Sequence, residues 1–148
     1  MRKDGITILE LILVMAIIAS LAAIIVPVFQ SSAPRIELES EARKLMAEIR
    51  DIQQRAISSN TKYSIKFVLA TDTLVVTYLD DNNKSQSHHT YTLDKSADLT
   101  ATSFPDNTLS YNLLGDPSRG GDIIIRNSRN DQYSILVAPL TGKVSLIE

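Results

Sequence analysis

The 148-residue sequence has no cysteine and no tryptophan. Disulfide frameworks, thiolate zinc sites and cysteine nucleophiles are therefore excluded. It holds only two histidines, adjacent at His88 and His89, and five glycines. Charge of one sign is also lacking. Setting aside Arg2, Lys3, Asp4 and Glu10 leaves 13 basic and 15 acidic side chains, which makes a poor general grip on nucleic acid. What the chain has in excess is one apolar block. Of the 24 residues from Ile6 to Phe29, 20 are apolar, interrupted by Thr7, Glu10, Ser20 and Pro27.

As a helix, 24 residues reach about 36 Å, enough to span a bilayer. Three readings compete: a cleaved secretory signal, a plain membrane anchor, and an anchor that is also an assembly element. Arg2 and Lys3 form a basic start, and Ser20-Leu21-Ala22 resembles a signal-peptidase site. The apolar run nevertheless continues beyond that site as Ala23-Ile24-Ile25-Val26, longer than an ordinary signal core. Flanking charge leaves orientation open, because Arg2 and Lys3 precede the segment while Arg35, Arg43 and Lys44 follow it within fifteen residues. Glu10 is the informative residue. A carboxylate within hydrocarbon costs about 2.5 to 3.5 kcal/mol at mid-membrane and less near an end, so it either snorkels to the headgroups or meets a cation.

Asp4-Gly5-Ile6-Thr7-Ile8-Leu9-Glu10-Leu11, followed by the apolar run and Pro27, resembles the N-terminus of type IV pilins and pseudopilins. The resemblance implies prepilin peptidase cleavage between Gly5 and Ile6, N-methylation of Ile6, and an assembly role for Glu10 against a neighbour's terminal amine. Ile6 stands where Phe or Met is more usual. It also implies a five-residue leader, an exported head and a single pass through the inner membrane. The implied partners are other pilins, the prepilin peptidase, the secretion or pilus assembly platform, and lipid.

Pro27 lacks an amide hydrogen and should bend or loosen the helix, and Pro34 repeats the problem. Beyond it Ala42, Leu45, Met46, Ile49, Ile52, Ala56 and Ile57 form one apolar stripe, with Glu39–Arg43 and Asp51–Arg55 pairs on the other side. That helix should end near Ser58-Ser59-Asn60. The period then changes to alternation, predicting a hairpin from Tyr63-Ile65-Phe67 to Leu74-Val76-Tyr78. Further strands are expected at His89–Leu93, Leu109–Leu113, Ile123–Arg126, Tyr133–Ala138 and Lys143–Ile147. The expected organisation is a leader over 1–5, a membrane and assembly helix over 6–29, an amphipathic helix over 30–60 and a β-rich head over 61–148. The fold class is α+β, one long helix packed on about seven antiparallel strands.

The stretches Gly121–Asn127 and Ile135–Val144, with Arg55-Ala56-Ile57 through Tyr63-Ser64-Ile65, resemble H-type minor pseudopilins of type II secretion and FimT-like minor pilins. Some FimT-like pilins take up DNA through a C-terminal motif like Gly-Arg-x-Arg. Here the segment is Gly142-Lys143-Val144-Ser145, leaving Lys143 as the candidate DNA contact, with Arg119, Arg126 and Arg129 nearby in sequence.

Other candidate chemistry is thin. Adjacent strand residues point to opposite faces, so His88 and His89 should not share a metal. Asp80-Asp81-Asn82-Asn83 offers calcium-like oxygens without the spacing of a calcium loop and reads as a turn; no cofactor is expected. Gly115–Gly121 matches no phosphate-binding pattern and reads as a mobile surface loop. There is no Gly-x-Ser-x-Gly elbow, and no catalytic reading emerges.

Overall fold

The computed structural model describes residues 7–147, with the side chains of 26–31 left out. It divides into two compact units, Met1–Pro34 and Arg35–Glu148.

In the first unit the helix α1, which runs Ile8–Ser58, begins on a cap. The Thr7 carbonyl accepts the Leu11 N–H at 3.1 Å, and its hydroxyl accepts the Glu10 N–H at 3.2 Å. Thr7-Ile8-Leu9-Glu10 is thus a threonine N-cap with glutamate at the third helical position, which satisfies an otherwise orphaned donor. From Ile8 to Ile25 the helix is long and apolar enough to cross a membrane, and none of that stretch is buried. The backbone stays helical through Pro27 and Pro34. The bend expected at Pro27 falls among side chains outside the described residues.

The second unit begins on the later part of α1. Leu38, Ala42, Leu45, Ile49, Ile52 and Ala56 are all fully buried, as spacings of three and four require. Met46 is only partly covered and Ile57 is exposed, so the two flanks of the expected stripe lie outside its core. After Ser58 the helix stops on a Schellman turn. Thr61 N–H donates to the Ala56 carbonyl and Asn60 N–H to that of Ile57, with Asn60 at φ +51°. Asparagine here takes the left-handed position that glycine more often fills.

Among the described residues eight strands follow, one more than expected: β1 Tyr63–Val68, β2 Thr73–Leu79, β3 Ser85–Thr92, β4 Asp98–Thr102, β5 Thr108–Tyr111, β6 Gly121–Arg126, β7 Gln132–Val137 and β8 Val144–Ile147. They form two antiparallel four-stranded sheets, ordered β3-β2-β1-β5 and β4-β6-β7-β8. The unexpected strand, β4, lies on a sheet edge in Asp98-Leu99-Thr100-Ala101-Thr102, where one apolar side chain is deeply buried. A register irregularity against β6 between Leu99 and Ala101 disrupts the alternation that would have marked it.

The core is built from the alternate residues of each sheet. Ile65, Phe67, Leu74, Val76 and Leu109 come from the first, and Ile123, Ile125, Ile135, Val137 and Val144 from the second. Each large side chain so buried contributes about 1.5 to 3 kcal/mol. Asp72, at the β1–β2 turn, joins the sheets: its carboxylate accepts the Leu99 N–H at 2.7 Å and its carbonyl that of Leu93 at 2.8 Å.

The 115–121 loop is tied down rather than free. Pro117 is buried and bridges to Tyr111, Ser118 N–H donates to the Ser110 carbonyl, and the Asn112 carboxamide oxygen accepts the amides of Leu114 and Asp116. Closing this many backbone groups internally holds a loop that composition alone marks as mobile.

Candidate functional site

Three places gather the side chains that carry chemistry. At the first, the start of α1, Gly5 and Ile6 lie outside the described residues. Glu10 is exposed on the first turn, among Ile8, Leu9, Leu11 and Ile12, each more than half exposed. Its carboxylate has no hydrogen-bond partner among the described residues. A negative charge there complements the partial positive charge of the helix start. The capping pattern Thr-x-x-Glu was available in the sequence and marks where the helix starts.

The second is a groove of about 430 Å³ between α1 and the open edge of β8. Glu39, Arg43, Met46 and Arg50 form one wall, Lys143, Val144, Ser145 and Leu146 the other, and Tyr133 joins them. Lys143 is therefore accompanied by Arg43 and Arg50, not by Arg119, Arg126 or Arg129, which were its neighbours in sequence. Both arginines already have work within the chain. Arg43 pairs with Glu39 at 2.7 Å, and Arg50 donates to the Val144 carbonyl at 2.5 Å. The Arg50 bond covers a main-chain acceptor of an edge strand, one of the ways such edges are kept from pairing with other chains.

The third place is the face where β3 crosses α1. Adjacent strand residues should alternate, yet the rings of His88 and His89 meet edge to face at 4.9 Å. A register shift opposite Val76 and Thr77 skips His88 in the ladder, and such a bulge brings both rings to one side. His89 Nε2 lies 2.5 Å from Glu48 Oε1 on α1, while His88 stands edge-on to Tyr63 at 5.6 Å and Tyr78 at 6.3 Å. Burial, with the neighbouring His89 and Arg55, holds the His88 imidazole below its ordinary pKa.

Glu41 was not legible in the sequence as anything but a helical surface residue, and it is the buried acid among the described residues of the head. Its carboxylate accepts the Tyr91 hydroxyl at 2.6 Å, the Asp94 N–H at 3.1 Å and Lys44 Nζ at 3.0 Å. Burial works to raise its pKa, but these bonds and the Lys44 charge outweigh it and leave it below the usual value. Lys44 is three residues along the same helix, whereas the Tyr91 and Asp94 donors reach Glu41 only through tertiary contact.

At the Asp80 turn both carboxylate oxygens of Asp80 itself are already engaged. Asp80 Oδ1 accepts the amides of Asn82 at 3.0 Å and Lys84 at 2.8 Å, and Oδ2 accepts Gln86 Nε2 at 3.1 Å. These bonds, that from Lys84 first, keep the Asp80 carboxyl below its ordinary pKa. The carboxylate acts as the closure of a turn.

No family model matches the chain. Two curated fimbrial proteins of Pseudomonas aeruginosa are each 32% identical to it over 110 residues, which span 68% of this chain and 68% of theirs. Among solved structures, the fold is similar to that of the minor pseudopilin EpsH from the type 2 secretion system of Vibrio cholerae. That match has a TM-score of 0.64 at 16% identity and covers 75% of this chain and 96% of the other. It is similar also to the type IV minor pilin FimU of Pseudomonas aeruginosa, with TM-score 0.62 at 15% identity, over 77% of this chain and 90% of that one.

Proposed function

Because this chain belongs to the type IV pilin and pseudopilin superfamily, we propose that it is a minor structural subunit of a type II secretion pseudopilus or a type IV pilus. Prepilin peptidase cuts between Gly5 and Ile6, and Ile6 becomes the methylated N-terminus. The apolar segment holds the subunit in the inner membrane with its head exported, until the assembly platform draws it into the filament beside other pilins.

The observation that carries this reading is the stretch Ile8–Ile25, apolar and uncovered, with one carboxylate on its first turn. Lipid and neighbouring helices are about equally apolar, so burial alone does little to move such a helix from bilayer to filament. Pairing Glu10 with the freed amine of a neighbouring Ile6 adds what burial does not, because it neutralises a charge that would otherwise be enclosed alone. Mass spectrometry of the mature protein tests the processing. The expected N-terminus is methylated Ile6; a retained leader, or a start beyond Ala22, overturns the reading.

The groove beside β8 favours a second reading, a DNA-binding minor pilin of the FimT-like kind, since Arg43, Arg50 and Lys143 converge there. With Glu39 among them and both arginines engaged, the phosphate grip rests mainly on Lys143. A gel shift that weakens with salt and is lost in Lys143→Ala would favour it; no retardation at low salt excludes it.

A further inference from the structure

Of the seven asparagines in the chain, Asn83 alone lies in an Asn-x-Ser/Thr sequence, Asn83-Lys84-Ser85, and Asp81 stands two residues before it. This pattern is the acceptor signature for N-linked oligosaccharide, and its physical requirement is an exposed turn. The structure meets that requirement. Residues 81–85 are all exposed at the tip of the β2–β3 hairpin, and Asn83 sits at φ +59°.

The turn's hydrogen bonds run through Asp80. Its side chain holds the amides of Asn82 and Lys84, its carbonyl accepts the Asn83 N–H at 2.9 Å, and its N–H donates to the Lys84 carbonyl at 2.9 Å. The side chains of Asp81, Asn83 and Ser85 make no hydrogen bond among the described residues. The carboxamide, the hydroxyl two residues after it and the carboxylate two residues before it are thus all presented outward from one small, locally closed turn.

We propose that Asn83 is an acceptor for N-linked glycosylation, resting on the reading that the head is exported. The donor class is a lipid-diphosphate-linked oligosaccharide, used by a membrane oligosaccharyltransferase on the exported side. The bond formed joins Asn83 Nδ2 to the anomeric carbon of the sugar. The bond broken joins that carbon to the diphosphate oxygen, so the lipid diphosphate leaves with the electron pair and the amide proton passes to a transferase base or water. The Ser85 hydroxyl orients the carboxamide in the transferase, and Asp81 gives a basic side chain there a second handle. A glycan here would also stand beside β3, an open sheet edge, and hinder its pairing with other chains.

The test expresses the full chain in a bacterial host together with an oligosaccharyltransferase and its lipid-linked oligosaccharide. It reads intact mass, the glycopeptide covering residues 79–95, and protease access to the head in spheroplasts. The expected result is one oligosaccharide per chain on Asn83, abolished in Asn83→Gln and Ser85→Ala and reduced several-fold in Asp81→Ala. A head that is protease-accessible and unmodified, or a modification that survives Asn83→Gln, overturns this proposal alone. A head that proteases do not reach overturns the exported reading and this proposal with it.

Discussion

At the scale of single residues, the two most consequential acids of this chain are opposites. Glu10 is a charge with apolar neighbours and no partner within the described residues, while Glu41 is enclosed with three. Glu41 offers a stability test with a defined sign. Its folded pKa lies below the ordinary 4.5, so its contribution is present above that value and lost as pH falls through the folded pKa. Thermal melts should show Glu41→Gln less stable than the parent at pH 7, with the gap narrowing steadily below pH 4.5. Glu41→Ala, which strands the Tyr91 hydroxyl and the Asp94 amide, should cost about 2 to 3 kcal/mol at pH 7. A gap that widens in acid would show that the ionised form is not the stabilising one.

At the scale of elements, the ends and crossings decide the outcome. α1 starts on Thr7 and stops on Asn60, both readable as signals once the capping geometry is known. The turn before β8 is more demanding. Gly142 sits at φ +62°, and a Cβ there would meet Gln53 Nε2 at 2.5 Å and the Gly115 carbonyl at 3.1 Å. Gln53 itself donates to the carbonyls of Gly115 at 2.8 Å and Thr141 at 3.1 Å, latching two loops to the helix. Gly142→Ala should therefore destabilise the head by about 1 to 3 kcal/mol, through strain and the displaced latch. Gln53→Ala, which loses the latch without the strain, should cost less. Urea denaturation of the two variants separates the contributions, and equal losses would remove the backbone argument.

At the scale of the whole molecule, the head and the apolar start of α1 differ in how their apolar side chains are covered. The head buries its own apolar residues, whereas Ile8–Ile25 is uncovered among the described residues. Glu10→Ala is accordingly expected to leave membrane insertion and head stability unchanged and to reduce filament incorporation at least tenfold. Membrane fractionation and sheared-filament yield measure the two effects. Normal incorporation would show that the carboxylate serves dipole complementarity alone.

The sequence by itself determined what depends on local order. A long apolar run, a period of three to four and then a period of two are properties of neighbouring residues, and they led directly to the apolar start of α1, its core stripe and seven of the eight strands found among the described residues. Tertiary structure alone decided what depends on residues far apart in the chain. It split the strands into two sheets, and a bulge turned His88 and His89 to one face. It also gave Glu41 its donors from Tyr91 and Asp94, and assembled Arg43, Arg50 and Lys143 around one groove. Each of these turns on a backbone irregularity or a contact spanning tens of residues, and neither leaves a trace in the order of adjacent side chains.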